Sequence, residues 1–200
     1  MGKGRLEAFS DGVIAIIITI MVLELKAPHE PHLSALRPLV PEFFSYVLSF
    51  VYVGIYWNNH HHLLHAARQV SGPVLWANMH LLFWLSLVPF TTNWMGESGL
   101  DAAPVAMYGL VLLLSAVAFR VLVKLLIRQD GSDSTLARAV GRDLKGTVSI
   151  LLYVVGMLAV LIHPLVGFAT YVVVAAIWFV PDRRIARRLE HEGAAGASES

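Results

Sequence analysis

The chain of 200 residues contains no cysteine, and only 14% of its residues are charged. Without thiols there can be no disulfide, no thiolate metal site and no cysteine nucleophile. Soluble domains carry about 25% Asp, Glu, Lys and Arg, so the shortage of charge excludes an ordinary water-soluble globule. What fills the gap is apolar: 56% of the residues are hydrophobic, in stretches of roughly twenty, the length that crosses a bilayer as a helix. The expected class is all-α and polytopic. A net charge of +1 supplies no electrostatic footprint for nucleic acid, and no such partner is expected. The first apolar run is bracketed by Asp11 and Glu24 with no small-residue cleavage site after it, so it reads as a retained span, not a signal peptide.

Six spans are expected. Helix 1 runs from about Glu7 to Lys26, ended by Pro28 and Pro31, and a His- and Pro-rich loop leads to helix 2 at Pro41–Leu64. Helix 3 follows Ser71-Gly72-Pro73 and ends near Trp94, with Asn78, His80 and Pro89 inside it. Helix 4 runs from Ala103 to Ile127, and 128–143 is polar and mixed in charge. Helices 5 and 6, Leu144–Ile162 and His163–Val180, are joined at His163-Pro164. Residues 1–182 form the expected membrane domain; 183–200 form a tail that is charged, then small and polar, expected to be disordered and cytoplasmic. With six spans, every one of the 15 basic residues except Lys26 and Arg37 falls on the side of the termini. The excess of Lys and Arg on cytoplasmic loops then places both termini inside a multi-pass cell-membrane protein.

Helix 1 is unusual by its ends. Between Asp11 and Glu24 lie 12 uncharged residues, which cover about 18 Å of the ~30 Å hydrocarbon core. A lipid-facing helix would not hold carboxylates at the remaining depth, where each costs roughly 3 kcal/mol. A helix between two wet mouths would. Residues three and four apart share a face, which groups Ile16, Thr19, Ile20 and Leu23, continuing through Gly12 or Val13 to Phe9. Two readings stand. The stripe packs against neighbouring helices, or it closes a pore as an apolar ring that excludes water, with Thr19 the only side-chain oxygen at the narrow part. At the inner end Arg5 and Asp11, six apart, are not partners on one face; each is expected to bond to another helix. Helices 2 and 3 bring Asn59, His60, Asn78 and His80 to that depth.

Rival chemistry comes from the histidines. His61, His62 and His65 have the three- and four-residue spacings that suit a transition metal, as in membrane metalloenzymes. The plainer reading has them bonding water and headgroups at the cytoplasmic interface. A secondary transporter of a small cation is the other alternative, although helices 1–3 and 4–6 share no motif that would mark a repeat.

The pattern Arg5-x-x-x-Phe9-Ser10-Asp11 at the head of a first span resembles the signature of the endosomal and lysosomal potassium-channel family and its prokaryotic homologues. Trp57-x-x-His60, Asn78 and Pro89-Phe90 are similar to later family positions, whereas Asn58-Asn59 and His61-His62 depart from the pattern. The family lacks a Thr-Val-Gly-Tyr-Gly filter, as does this chain. The resemblance implies a non-enzymatic, potassium-preferring channel without catalytic residues, metal or cofactor, whose ligands are permeant potassium and other monovalent cations. It implies a homotetramer in the lipid bilayer, since one signature is present where two-repeat members form dimers. Helix 1 of each copy would line the pore, with Ile16 the constricting ring (Ile20 in some prokaryotic relatives), Thr19 the selectivity-linked oxygen and Leu23 the outer gate. Arg5, Phe9, Ser10, Asp11, Trp57, His60 and Asn78 would form the clamp on helices 2 and 3.

Overall fold

The computed structural model describes residues 2–131, 133–141 and 143–179, and among them every regular element is helical. The expected tail at 183–200 lies outside the described residues. Helix α1 spans Lys3–Leu23, beginning a turn before Glu7 and stopping short of Lys26. Its end is closed by Glu24 N–H on the Ile20 carbonyl and Leu25 N–H on that of Val22, a tightening common in last turns. The connection to α2 (Val40–Ala66) holds one 3-10 turn, Leu33–Leu36.

Expected helix 3 is two helices. α3 covers Gly72–Ser86 and α4 covers Val88–Glu97, with Leu87 shared as a non-helical joint. Pro89 has no N–H to give to the turn before it and its ring crowds the carbonyl four residues back, so the break falls at Leu87. Helix α5 (Ala102–Asp130) outruns its expected end. The polar stretch behind it contains a short α6 (Thr135–Val140), whose N-cap Ser134 Oγ accepts from Ala137 N–H. α7 (Leu144–Ala159) is capped by Asp143 and gives way to turns before His163, and α8 (Pro164–Phe179) follows.

Four stretches are long and apolar enough to cross a membrane: α1, α2, α3 with α4, and α5. α7 and α8, with 16 residues each, reach about 24 Å. Two cores meet along α5. One is aliphatic and joins Leu6, Ile14, Ile17 and Met21 of α1 to Leu64, Leu81 and Leu122. The other is aromatic and centres on Tyr52, Tyr108, Tyr153 and Tyr171. Tyr171 enters a gap left by two glycines. A methyl at Gly109 would overlap its hydroxyl, and one at Gly156 would lie 2.6 Å from its Cε1. Overpacking a filled site costs about 1–3 kcal/mol. Gly109→Ala is therefore expected to lower the melting temperature by several degrees in detergent, followed by thermal-shift size exclusion; an unchanged melting point would mean that the aromatic core yields freely.

Candidate pore face on helix 1

One side of α1 is spent on packing against α2, α3 and α4; the other is largely uncovered among the described residues. The buried residues are Leu6, Ser10, Ile14, Ile17 and Met21. Opposite them Phe9, Ile16, Ile20 and Leu23 are 45%, 58%, 41% and 79% exposed, and Gly12 and Thr19 are exposed with them. The four residues grouped by spacing therefore share one outward face of the subunit. The Thr19 hydroxyl donates to the Ile16 carbonyl at 2.9 Å, which satisfies its proton without a neighbouring helix and leaves oxygen lone pairs on that face. Beside the face runs a half-open groove of about 500 Å³. Val13, Ile16, Ile17, Ile20 and Glu24 form one wall; Ser86, Pro89, Phe90 and Asn93, around the α3–α4 joint, form the other.

The N-terminal half of α1 is held by polar bonds to two helices. Asn78 on α3 is fully buried and bonds in two directions. Its Oδ1 accepts from His60 Nε2 at 2.7 Å, and its Nδ2 donates to Ser10 Oγ at 2.9 Å. Ser10 passes its own proton to the Leu6 carbonyl at 2.8 Å. Because an amide oxygen only accepts, the chain of donors is fixed and His60 must carry its proton on Nε2. Separately, Trp57 Nε1–H donates to Asp11 Oδ1 at 3.0 Å. So the structure brings Ser10, His60 and Asn78 together, and Asp11 with Trp57.

Arg5 and Phe9 lie elsewhere. Both are on the exposed face, and the Arg5 side chain has no hydrogen-bond or ion-pair partner among the described residues. Asn59 only returns a bond to the Ile55 carbonyl of its own helix, and the His80 ring accepts from Trp84 Nε1. Neither joins the inner cluster.

Sequence reasoning missed further ties. Lys3 Nζ donates to the carbonyls of His65 and Ala67 at 2.8 Å each. Glu7 Oε1 lies 3.1 Å from His61 Nδ1, where a headgroup contact was expected. Residues 3, 7 and 11 on α1 thus meet 65, 61 and 57 on antiparallel α2, a four-residue step on both sides. That step was visible in the sequence; the register between the helices was not. His61 and His65 stack at 6.1 Å, but among the described residues no three of His, Cys, Asp and Glu gather into a metal-holding group. Past the C-terminal end of α1, Lys26 pairs with Glu97 at 2.8 Å, both side chains exposed, and this raises the lysine's pKa.

The family model described as "Endosomal/lysosomal potassium channel TMEM175" matches residues 5–89. A protein of Chryseobacterium sp. (strain P1-3) named a potassium channel is 50% identical over 190 residues, 95% of this chain and 99% of that one. Another so named, from Streptomyces collinus, is 35% identical over 60% of this chain and 62% of its own. Among solved structures, the crystal structure titled as a lysosomal potassium-selective channel TMEM175 homolog from Chamaesiphon minutus superposes with a TM-score of 0.78. It shares 27% identity over 88% of this chain and 95% of that one. By a likeness that covers nearly the whole of both chains at half identity, the protein belongs to the endosomal/lysosomal potassium channel TMEM175 family.

Proposed function

We propose that the chain is a potassium-preferring cation channel of the cell membrane whose pore is lined by α1 from four copies. The single observation that carries this reading is the apolar, unpartnered face of α1 between Asp11 and Glu24. Family membership and the names of the relatives supply the ion. In this reading residues 1–182 form one domain of six spans, α7 and α8 crossing despite their length, with both termini cytoplasmic. Ile16 and Leu23 close the pore by excluding water, Ile20 narrows it between them, and Thr19 offers oxygen to a partly dehydrated ion. Ser10, Asp11, Trp57, His60 and Asn78 fix the inner half of α1, while exposed Arg5 and Phe9 are free to meet a neighbouring copy. Rotation or splay of α1 opens the channel.

Flux from purified protein in liposomes, with potassium against sodium gradients, tests the reading. Potassium flux above sodium flux, non-saturating in ion concentration, is the expected result. The joint at Leu87, beside the groove, is the one feature that favours a cation transporter instead, since such proteins use broken helices; saturable flux indifferent to substitution at Ile16 would establish that alternative. Asp11→Ala removes the acceptor of the Trp57 bond and is expected to alter open probability or tetramer yield while leaving the potassium-to-sodium ratio where it was. A folded, normally gating variant with a changed ratio would make Asp11 part of the filter.

A further inference from the structure

The ties between α1 and α2 differ in chemistry, and only one can change strength near neutral pH. Lys3 donates to backbone carbonyls and the Trp57 indole, which does not titrate, to a carboxylate. His61 is the exception, because imidazole exchanges its proton between pH 5 and 8. Its Nδ1 faces Glu7 Oε1 at 3.1 Å, and a carboxylate only accepts. The contact therefore exists as a neutral N–H donor bond or as an ion pair. The ion pair is the stronger of the two, because it adds coulombic attraction to the same bond. The same ring stacks beside Trp57, centroids 6.1 Å apart and planes 25° from parallel, which fixes its orientation toward Glu7.

We propose that His61 is a positioning residue for the pore helix, its protonation tightening the tie to Glu7 and holding the inner half of α1 against α2. The inference rests on the reading of α1 as the pore helix. The titratable and charged groups around His61 are Lys3, Glu7 and Asp11 on α1 and His60, His62 and His65 on its own helix. α3 packs on α1 nearby and its one titratable side chain, His80, is engaged with Trp84; α6, which touches α2, carries Arg138. Of the acidic groups in this set, Asp11 is held by Trp57, and Glu7 is the one in contact with an imidazole.

The test is potassium current in inside-out patches containing the full chain, with the cytoplasmic face stepped from pH 8 to pH 5.5. Wild type should lose current by about two- to fivefold, the range that a partly exposed ion pair supplies. His61→Gln and Glu7→Gln should each abolish the step, and the double variant should add nothing to either. His62→Gln, at an exposed ring with no carboxylate partner among the described residues, should keep it. A flat wild-type response, a step that survives in both His61→Gln and Glu7→Gln, or a step driven only from the outer face would overturn the proposal. Ile16→Asn recorded alongside separates the two levels. If it raises current while the pH step ignores His61, the tie is refuted and the pore stands; if it does not, the pore reading falls and takes the tie with it.

Discussion

Ile16→Asn should raise the resting cation leak of the reconstituted protein by roughly tenfold or more, because in the proposed tetramer four amides would stand around the apolar constriction and give water the partners it needs to enter. The expectation depends on where Ile16 points. Its side chain is more than half exposed on the subunit surface, on the face shared with Thr19, Ile20 and Leu23 and away from the buried row Ile14, Ile17 and Met21. An amide there meets no core of its own subunit, so the fold should tolerate it. A second position controls for general loosening: Ile17→Asn, in the buried row, should destabilise the protein instead of opening it. Fluorescence-monitored potassium efflux from liposomes reads the first effect and thermal melting the second. Equal leak from wild type and a folded Ile16→Asn protein would remove the constriction from that position.

The second large effect is expected at Asn78. Alanine there deletes both the acceptor of His60 and the donor to Ser10, at a position without solvent. A buried polar group left without its partner costs about 1–3 kcal/mol, and bonds between membrane helices average nearer 0.6 kcal/mol. Two orphaned groups together should cost about 2 kcal/mol, which in a chain of this size lowers the melting temperature by roughly 4–8 °C. Asn78→Asp separates the two bonds. A carboxylate still accepts from His60 but cannot donate to Ser10, and it can make His60 a cation. That variant should recover part of the loss and make the remainder pH-dependent. A melting point within a degree of wild type for Asn78→Ala would mean that apolar packing alone holds α1 to α3.

The outward face of α1 was legible because helical spacing decides which residues share a side, and the polar ends of the run gave its depth. Spacing could not say whether that side meets a neighbouring helix of the same chain; the packing of α2, α3 and α4 on Leu6, Ile14 and Met21 answers that. The bonds joining Ser10, His60 and Asn78 follow residue types that a buried cluster must pair. Arg5 does not join them because it lies on the exposed side, whereas its separation from Asp11 had pointed to a bond with another helix. The contacts of Glu7 and Lys3 depend on the offset between two antiparallel helices, a quantity that long-range packing sets and no local pattern carries. The joint at Leu87 is a similar case. Pro89 announced a disturbance, but whether a proline bends or divides a helix depends on what fills the space beside it.

The bonds on α1 are unevenly placed. They crowd into its first three turns, from Lys3 to Asp11, while beyond Asp11 the helix has, among the described residues, only apolar packing to its neighbours and one exposed ion pair past its end. Such a helix behaves as a cantilever fixed at its inner end. Measured from Asp11, Ile16 sits about 7.5 Å along the axis and Leu23 about 18 Å, so any tilt about the fixed end sweeps Leu23 through more than twice the arc of Ile16. In the proposed pore, a ring at Leu23 would therefore part more widely than one at Ile16.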